Sequence, residues 1–249
     1  MMRKCSLMLF LLLVVTVPFL LLGTGSGRAD DRDDRHNERV KGPVKLLKTI
    51  PVPVSATNST AGALYSFDIS FVDQATQTYY LADRSNTAVD VVNAKTDTFV
   101  GQIFPNNGHG AFAGFVPCAP AAGANDCAGP NGVVAAFPWL FVTDAPSRVL
   151  SFDLRTNPPN TVSDVFTKAG EKTRADELAY DPRDGLLLVI NNASDPPFGT
   201  LINVNKATGA LTVVKNIDFD AAHGVDATNG AEQPVWDPGT GNSISPSRK

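Results

Sequence analysis

Residues 67–103, FDISFVDQATQTYYLADRSNTAVDVVNAKTDTFVGQI, decide the fold of this chain. Runs rich in β-branched and aromatic residues predict strands at 68–72, 78–82, 88–92 and 98–103. Tetrapeptides such as DQAT and DRSN separate these runs and favour tight turns. The stretch therefore predicts one antiparallel unit of four strands.

The same pattern returns later in the chain. Residues 175–219 predict strands at 178–180, 186–190, 201–204 and 211–217, and a more degenerate copy spans 130–167, with its clearest strand at 139–143. Asp144 and Asn191 occupy equivalent turns 47 residues apart. Antiparallel four-stranded units that recur about every 40–50 residues are typical of β-propellers. We therefore predict an all-β fold, a β-propeller built of four-stranded antiparallel blades.

The repeats at both ends of the chain are partial. The segment 45–54, KLLKTIPVPV, resembles the last strand of a blade, so we expect it to complete the final blade of the ring. The segment 231–237, AEQPVWD, matches ADELAYD at 175–181, but no apolar second strand follows it. We expect about three full blades plus partial ones over residues 45–249, a shortened form of a longer protein. An open ring leaves unpaired strand edges, which promote self-association.

The N-terminus predicts export. Arg3 and Lys4 precede an apolar run at 7–22, and small residues follow, as in a cleaved signal peptide over 1–29. An uncleaved membrane anchor is the alternative, given the length of the run. Residues 30–44 read as a charged, flexible leader. We predict a secreted or periplasmic protein with no membrane attachment after cleavage.

Charge and cysteine content narrow the function classes further. Without residues 1–29, the chain keeps 18 basic and 25 acidic residues, a net charge of −7, with no basic cluster that would bind nucleic acid. A long Gly-, Ala- and Pro-rich loop at 104–128 interrupts the repeats and carries Cys118 and Cys127. In an exported protein this pair is most simply a disulfide, and a metal pair would lack neighbouring ligands.

Alignment of the repeats places four polar residues at one equivalent position, the start of the first strand of each unit: Asp68, Asn131, Asp176 and Glu232. Glu177 adds a further acid beside Asp176. First strands line the central channel of a propeller, so these oxygen ligands are expected to converge there, where they would suit Ca²⁺ or a similar divalent cation. The competing interpretation is that they cap backbone groups or face channel water.

The text of the repeats resembles secreted bacterial propellers of the YVTN and SMP-30/gluconolactonase-like type. The segments YYLADRSNTAVDVVNAKTD (79–97), GPNGVV (129–134), WLFVTDAPSRV (139–149), RADELAYDPRDGLLLV (174–189) and AEQPVWDP (231–238) carry the resemblance. In the gluconolactonase-like family, Glu, Asn and Asp side chains hold a channel metal that polarises a lactone carbonyl and positions a water. The resemblance implies the same role for the four residues named above.

Two functions follow from these observations. The first is an exported binding or scaffold module whose ligand is a small molecule, a glycan or a protein. The alternative is a metal-dependent, lactonase-like hydrolase. His109 and His223 are each followed by glycine and have no Ser or Cys nucleophile paired with them in sequence, so a general-base role has little support.

Overall fold

The computed structural model describes residues 45–116, 118, 125–227 and 229–245. The chain divides into two units, Met1–Leu46 and Leu47–Lys249. In the first unit only Lys45 and Leu46 are described, and neither lies in a helix or strand. The expected signal peptide at 1–29 and the leader at 30–44 lie outside the described residues. No helix in the described part of the chain has the length and apolar character needed to cross a membrane.

The second unit consists of three four-stranded antiparallel sheets and one two-stranded hairpin. Within each sheet the strands lie side by side in chain order, as the repeats predicted. The strands of blade 1 are β1 (Ser70–Asp73), β2 (Thr78–Asp83), β3 (Ala88–Asn93) and β4 (Thr98–Ile103). Those of blade 2 are β5 (Val133–Ala136), β6 (Trp139–Asp144), β7 (Arg148–Asp153) and β8 (Asn160–Phe166). Those of blade 3 are β9 (Leu178–Asp181), β10 (Leu186–Asn191), β11 (Phe198–Val204) and β12 (Leu211–Asp218). A short 3₁₀ helix, Ala221–His223, precedes the hairpin of β13 (Val235–Asp237) and β14 (Asn242–Ile244).

Asp and Asn side chains close the turns between strands. Asp73 Oδ1 accepts the Ala75 N–H at 2.9 Å, and Asn93 Oδ1 accepts the Lys95 N–H at 3.0 Å. Asp181 and Asn205 make the corresponding bonds in blade 3. These bonds satisfy backbone donors that the ladder leaves unpaired, which explains why the same residue types recur at fixed spacing.

The core lies between neighbouring blades. Leu140, Val142 and Phe152 of blade 2 pack with Tyr80 and Val89 of blade 1. The opposite face of blade 2 packs on blade 3: Phe141 and Tyr180 have ring centroids 4.7 Å apart. Strand β6 (WLFVTD) is buried along its whole length because both of its faces meet another blade. Such a strand needs a continuous apolar run, which explains why WLFVT was the clearest strand of its repeat.

The segment expected to complete the last blade does not do so. Residues 45–54 form no strand. Pro51 and Pro53 have no N–H to donate to a ladder. The segment is instead held against blade 1 by side chains: Gln102 Nε2 donates to Pro53 O at 3.2 Å, and the Ser55 N–H donates to Asn86 Oδ1 at 2.9 Å.

The last repeat also departs from the expectation. A second strand does follow the 231–237 segment, since Asn242–Ile244 pairs with Val235–Asp237. All three residues of this strand are exposed. It was missed because an exposed strand needs no apolar run.

The long loop is fastened at two places. Near its start, Asn106 exchanges hydrogen bonds with Thr161 of β8, both at 2.8 Å. Farther along, Cys118 and Cys127 form the predicted disulfide, with Cα atoms 5.2 Å apart. The start of the loop therefore lies against β8, the outer strand of blade 2.

Candidate functional site

The four residues aligned from the repeats all lie just before a first strand, at one end of the unit. Backbone bonds place three of them: the Asp68 N–H donates to Ala82 O at 2.9 Å, the Asn131 N–H to Thr143 O at 2.9 Å, and the Asp176 N–H to Ile190 O at 2.8 Å. Each bond extends the pairing of the first and second strands beyond their assigned ends. The repeat alignment therefore matched positions that are structurally equivalent.

Arg84, in the turn after β2, joins the first two of these positions. Its guanidinium donates to Asp68 Oδ2, and to Asn131 Oδ1 at 2.8 and 2.9 Å. Asn131 in turn donates through Nδ2 to Ala175 O at 2.9 Å. A continuous chain of hydrogen bonds thus runs from blade 1 through blade 2 to the start of blade 3.

Arg174 forms an ion pair with Asp176, the third of the aligned residues. Its Nε and Nη2 atoms both lie 2.7 Å from Asp176 Oδ2, and its Nη1 donates to Asp126 Oδ1 at 2.8 Å. Asp126 belongs to the disulfide-bonded loop, directly before Cys127. The loop therefore supplies a second acid that holds Arg174 in place.

Glu232 is half-buried and accepts a hydrogen bond from Asn192 Nδ2 at 3.3 Å. Burial is the main cause of the raised pKa of Asp176 and of Glu177, and the charge of Glu232 adds to both. Arg84 thus joins Asp68 to Asn131 and Arg174 binds Asp176, while the role of the predicted residues as metal ligands stays a prediction. We call this set the head cluster: Asp68, Arg84, Asn131, Arg174, Asp176, Glu177 and Glu232.

The contacts around Gly132 explain the second glycine of the GPNGVV motif, just before β5 of blade 2. A Cβ on Gly132 would meet Asp176 O and would lie 2.6 Å from Leu178 Cδ2. Glycine at this position lets blade 2 approach blade 3 closely enough for Asn131 to reach Ala175.

The carboxyl groups of Asp68, Asp176 and Glu177 have pKa values shifted toward the protonated form. Burial raises the pKa of Asp68 to about 6, against the attraction of Arg84, and the nearby Asp176 carboxyl adds to the rise. Burial also raises the pKa of Asp176 itself, although Arg174 opposes this. Four acids facing two arginines leave an excess of negative charge that solvent cannot fully screen.

Glu177 is a buried acid with one carboxyl oxygen that lacks a hydrogen-bond partner within the described part of the chain. It is only 7% exposed, and its Oε2 atom has no hydrogen-bond partner among the described residues. Burial, followed by the charge of Asp176, raises its pKa to about 8. A buried polar atom without a partner costs free energy, so it marks a place where a donor is missing.

The residues do not form a metal site as they stand. Arg84 and Arg174 already engage Asp68, Asn131 and Asp176, the oxygen donors that a cation would need. Across the described ranges, no group of three or more His, Cys, Asp or Glu residues is arranged to hold a metal ion. The arginines therefore bind the oxygen donors that were predicted for calcium, and the calcium hypothesis stays a prediction.

Below the head cluster, the first strands of the blades enclose a groove of about 460 Å³, which we call the inner groove. Most of its lining is apolar, and Glu177 is the acidic residue in it. Trp236 also lines it, with an indole N–H that is buried and has no partner among the described residues. The lining residues are Ile69, Ser70, Phe71, Val133, Val134, Ala135, Ala136, Glu177, Leu178, Ala179, Tyr180, Pro182, Gln233, Pro234, Val235 and Trp236.

His109 and His223 belong to neither the head cluster nor the inner groove. His109 Nδ1 lies 2.9 Å from Asp164 Oδ1 of β8, and His223 Nδ1 lies 2.6 Å from Asp220 Oδ1 beside the 3₁₀ helix. Neither is a lining residue of the inner groove. The side-chain partner of each imidazole is a carboxylate.

Sequence reasoning missed Arg84 and Arg174. A signal was present, because each arginine lies in a segment that also holds acids, LADRSN and TRADEL. Alignment of the repeats hides it, since the two arginines occupy different positions in their blades.

The architecture is that of a β-propeller, which confirms the predicted fold class: three full four-stranded blades and a partial one within the described residues. A protein from Lactobacillus plantarum has a similar fold, with a TM-score of 0.51, 15% identity, and coverage of 73% of this chain and 51% of that one. A candidate 6-phosphogluconolactonase from Bacteroides uniformis is similarly related, with a TM-score of 0.50, 16% identity, and coverage of 72% and 49%. The chain spans about half the length of each. No family model matches the sequence, and no curated protein matches it significantly. At such identities the likeness concerns the fold alone.

Proposed function

We propose that this propeller is a binding module that takes a small organic molecule into the inner groove. The observation that carries the proposal is the unpartnered Oε2 atom of Glu177, buried at the wall of an apolar groove. A ligand that reaches this atom would satisfy it and would remove apolar groove surface from water. Both terms favour binding.

The size and lining of the groove favour a small molecule over the other ligands considered. A volume of about 460 Å³ lies in the range of small-molecule sites, and such sites combine apolar walls with a few polar groups. A glycan would need many more hydrogen-bonding side chains than Glu177, Gln233, Ser70 and the Trp236 indole provide. A protein partner would need a broader exposed surface.

A titration followed by NMR tests this function. The neutral probe 4-phenylbutan-1-ol is expected to bind in the millimolar range, since small ligands gain about 0.3 kcal/mol per heavy atom. Ser70→Phe places a ring in the groove from an exposed position on β1 and is expected to abolish binding. Thr212→Phe adds the same ring at an exposed position on the outer strand β12 and serves as the matched control. Equal binding by both variants would refute the proposal.

A lactonase-like hydrolase is the second candidate. Its support is the raised pKa of Glu177, about 8, because a carboxyl that stays protonated at neutral pH can donate a proton to a carbonyl or a leaving oxygen. The fold likeness to a candidate 6-phosphogluconolactonase points the same way.

A panel of sugar lactones, including 6-phosphogluconolactone, tests the hydrolase directly. This candidate expects hydrolysis that increases on addition of Ca²⁺ and is lost in Asp176→Ala. Calorimetric titration with Ca²⁺ tests the metal separately, and no heat at millimolar Ca²⁺ would remove that part. Inactivity on every lactone would leave the binding module as the function.

We also propose that the protein is exported and that it is a propeller of the type its repeats resemble. The signal-like residues 1–29 and the local disulfide Cys118–Cys127 support a secreted or periplasmic location. The repeat text supports a propeller of the YVTN or SMP-30/gluconolactonase-like type. N-terminal sequencing of the mature protein from its host decides between cleavage and anchoring.

A further inference from the structure

We propose that the inner groove selects organic cations, namely molecules with an apolar body and one protonated amine, over neutral and anionic molecules of the same shape. The proposal rests on the small-molecule function above and specifies the chemical class of the ligand. It is carried by three features: the charge at the wall of the groove, the commitment of the nearby arginines, and the aromatic side chains of the lining.

The groove wall becomes negative when Glu177, the acidic residue of its lining, ionises. The Oε2 atom of Glu177 is buried and has no partner among the described residues. Asp176, Glu232 and Asp68 lie near enough to act on Glu177 electrostatically, and all three act as negative charges. A cation beside ionised Glu177 would thus interact favourably with its carboxylate in a partly desolvated site, where such interactions are stronger than in water. Asp68 and Asp176 contribute less, because each is paired with an arginine.

No basic group is available to hold an anion in this groove. None of the described lining residues is Lys, Arg or His. The two arginines of the head cluster are already engaged: Arg84 binds Asp68 and Asn131, and Arg174 binds Asp176 and Asp126. An anionic ligand of the same shape would meet Glu177 without compensation. The groove therefore discriminates by repulsion as well as by attraction.

The lining also suits the rest of such a ligand. Phe71, Tyr180 and Trp236 line the groove together with Val133 and Leu178. Aromatic faces attract an ammonium group electrostatically and bury an apolar chain equally well. The Trp236 indole N–H, which lacks a partner within the described part of the chain, can donate to a ligand oxygen.

The ionisation of Glu177 gives the selectivity a pH dependence. With a pKa of about 8, Glu177 is mostly protonated at pH 7 and mostly ionised at pH 9. Asp176, Glu232 and Asp68 face it and keep that pKa high. An alkylamine, with a pKa of about 10, is still charged at pH 9. The affinity for the amine should therefore rise about tenfold from pH 7 to pH 9, in proportion to the ionised fraction of Glu177.

Three probes of one shape test the inference on the full chain: 4-phenylbutylamine, 4-phenylbutan-1-ol and 4-phenylbutanoate, titrated by NMR at pH 7 and pH 9. At pH 9 the amine is expected to bind at least about tenfold more tightly than the alcohol, and the carboxylate more weakly than both. Glu177→Gln keeps the shape of the side chain and removes its charge. This variant should bind the amine no better than the alcohol and should lose the pH dependence.

Asp184→Asn removes an exposed charge from the turn between β9 and β10, outside the groove lining, and should retain the full preference for the amine. Equal affinity for amine and alcohol, or an unchanged preference in Glu177→Gln, would overturn the selectivity while leaving the binding function intact. If none of the probes binds the wild-type chain, the binding function fails as well. A circular-dichroism melt of Glu177→Gln confirms that the variant is folded.

Discussion

Buried charge is concentrated at a few residues of this propeller, and one of them, Arg84, joins two blades. Its guanidinium is almost fully buried and satisfies Asp68 and Asn131 on two different blades. A planar fork of donors can reach both acceptors at once, which a lysine cannot do. Removal of this group would leave Asp68 and Asn131 without the donor that they share.

Arg84→Ala is expected to lower the free energy of unfolding by about 2–4 kcal/mol, because it leaves the buried Asn131 side-chain oxygen and the half-buried Asp68 carboxyl without their shared donor. Arg183→Ala is the matched control. Arg183 is 57% exposed, and its nearest carboxyl, Asp184, lies 3.4 Å away, so its loss should cost less than about 1 kcal/mol. Urea unfolding at pH 7 measures both. Similar losses for the two variants would show that the head cluster does not stabilise the fold.

A second buried acid lies away from the groove, in blade 1. Asp90 is 1% exposed, accepts a hydrogen bond from Gln102 Nε2 at 3.0 Å, and has an Oδ2 atom without a partner among the described residues. Burial raises its pKa to about 7, against the hydrogen bond from Gln102, and the nearby Asp83 adds to the rise. The folded protein therefore holds a proton at Asp90 that the unfolded chain releases near pH 4.

This difference predicts that stability falls as the pH rises. A group with a raised folded-state pKa contributes stability that is fully present below its unfolded pKa of 3.8 and is lost as the pH rises through about 7. Asp90→Asn should therefore stabilise the protein at pH 8 by at least about 1 kcal/mol relative to its effect at pH 5. Thermal unfolding of wild type and variant at both pH values measures this. An effect of Asp90→Asn that does not depend on pH would contradict the raised pKa.

At the level of elements, blade 2 is fastened to blade 3 by Trp139 of β6. The indole N–H donates to Lys206 O at 3.0 Å, and the ring packs on Gly209 in the turn before β12. A Cβ on Gly209 would lie 2.6 Å from the ring, and Gly209 has a φ of +75°. The glycine is thus required twice, by its backbone conformation and by the ring beside it.

Gly209→Ala should lower the free energy of unfolding by about 2–4 kcal/mol, from left-handed backbone strain and overpacking together. Gly170→Ala separates the two terms, because Gly170 has a φ of +79° but no atom within 4 Å of its Cβ position. That control should lose only about 1 kcal/mol. Chemical denaturation followed by tryptophan fluorescence reports on both. Equal losses would mean that the Trp139 contact contributes nothing.

For the whole molecule, the repeats made most of the architecture predictable. Strands such as β2 and β10 carry β-branched and aromatic residues because each is buried between neighbours, and the turns carry Asp or Asn because those side chains satisfy the backbone. The positions of Asp68, Asn131, Asp176 and Glu232 followed from the same alignment. These features are local, and repetition makes local features easier to recognise.

The remaining features depend on contacts distant in sequence. The pairing of Arg84 with Asn131 spans 47 residues, and that of Arg174 with Asp126 spans 48. Nothing in the period of the repeat encodes them. The failure of residues 45–54 to form a strand is also nonlocal, because their partners are the Gln102 and Asn86 side chains of blade 1.

The last hairpin makes self-association testable. Within the described residues, no strand pairs with the outer edge of β14, and the cross-strand neighbours Val235 and Ile244 are each 62% exposed. An exposed apolar edge is a template for another chain. We expect the sedimentation coefficient to rise with protein concentration, and the double variant Val235→Lys, Ile244→Lys to suppress that rise.

Val116→Lys introduces the same charge at an apolar loop residue that is 45% exposed, and it should leave the association unchanged. A wild-type protein that sediments as a monomer at every concentration would contradict the prediction.

The chain-order arrangement of strands within each sheet has a consequence for synthesis in the cell. Every ladder of a blade joins strands that are consecutive in sequence, so a blade can close soon after its four strands have left the ribosome. Blade 1 then has Arg84 bound to Asp68 alone until Asn131 emerges 47 residues later. The arginine that ties the finished blades together thus also sets an order of assembly, in which each new blade is captured by the one made before it.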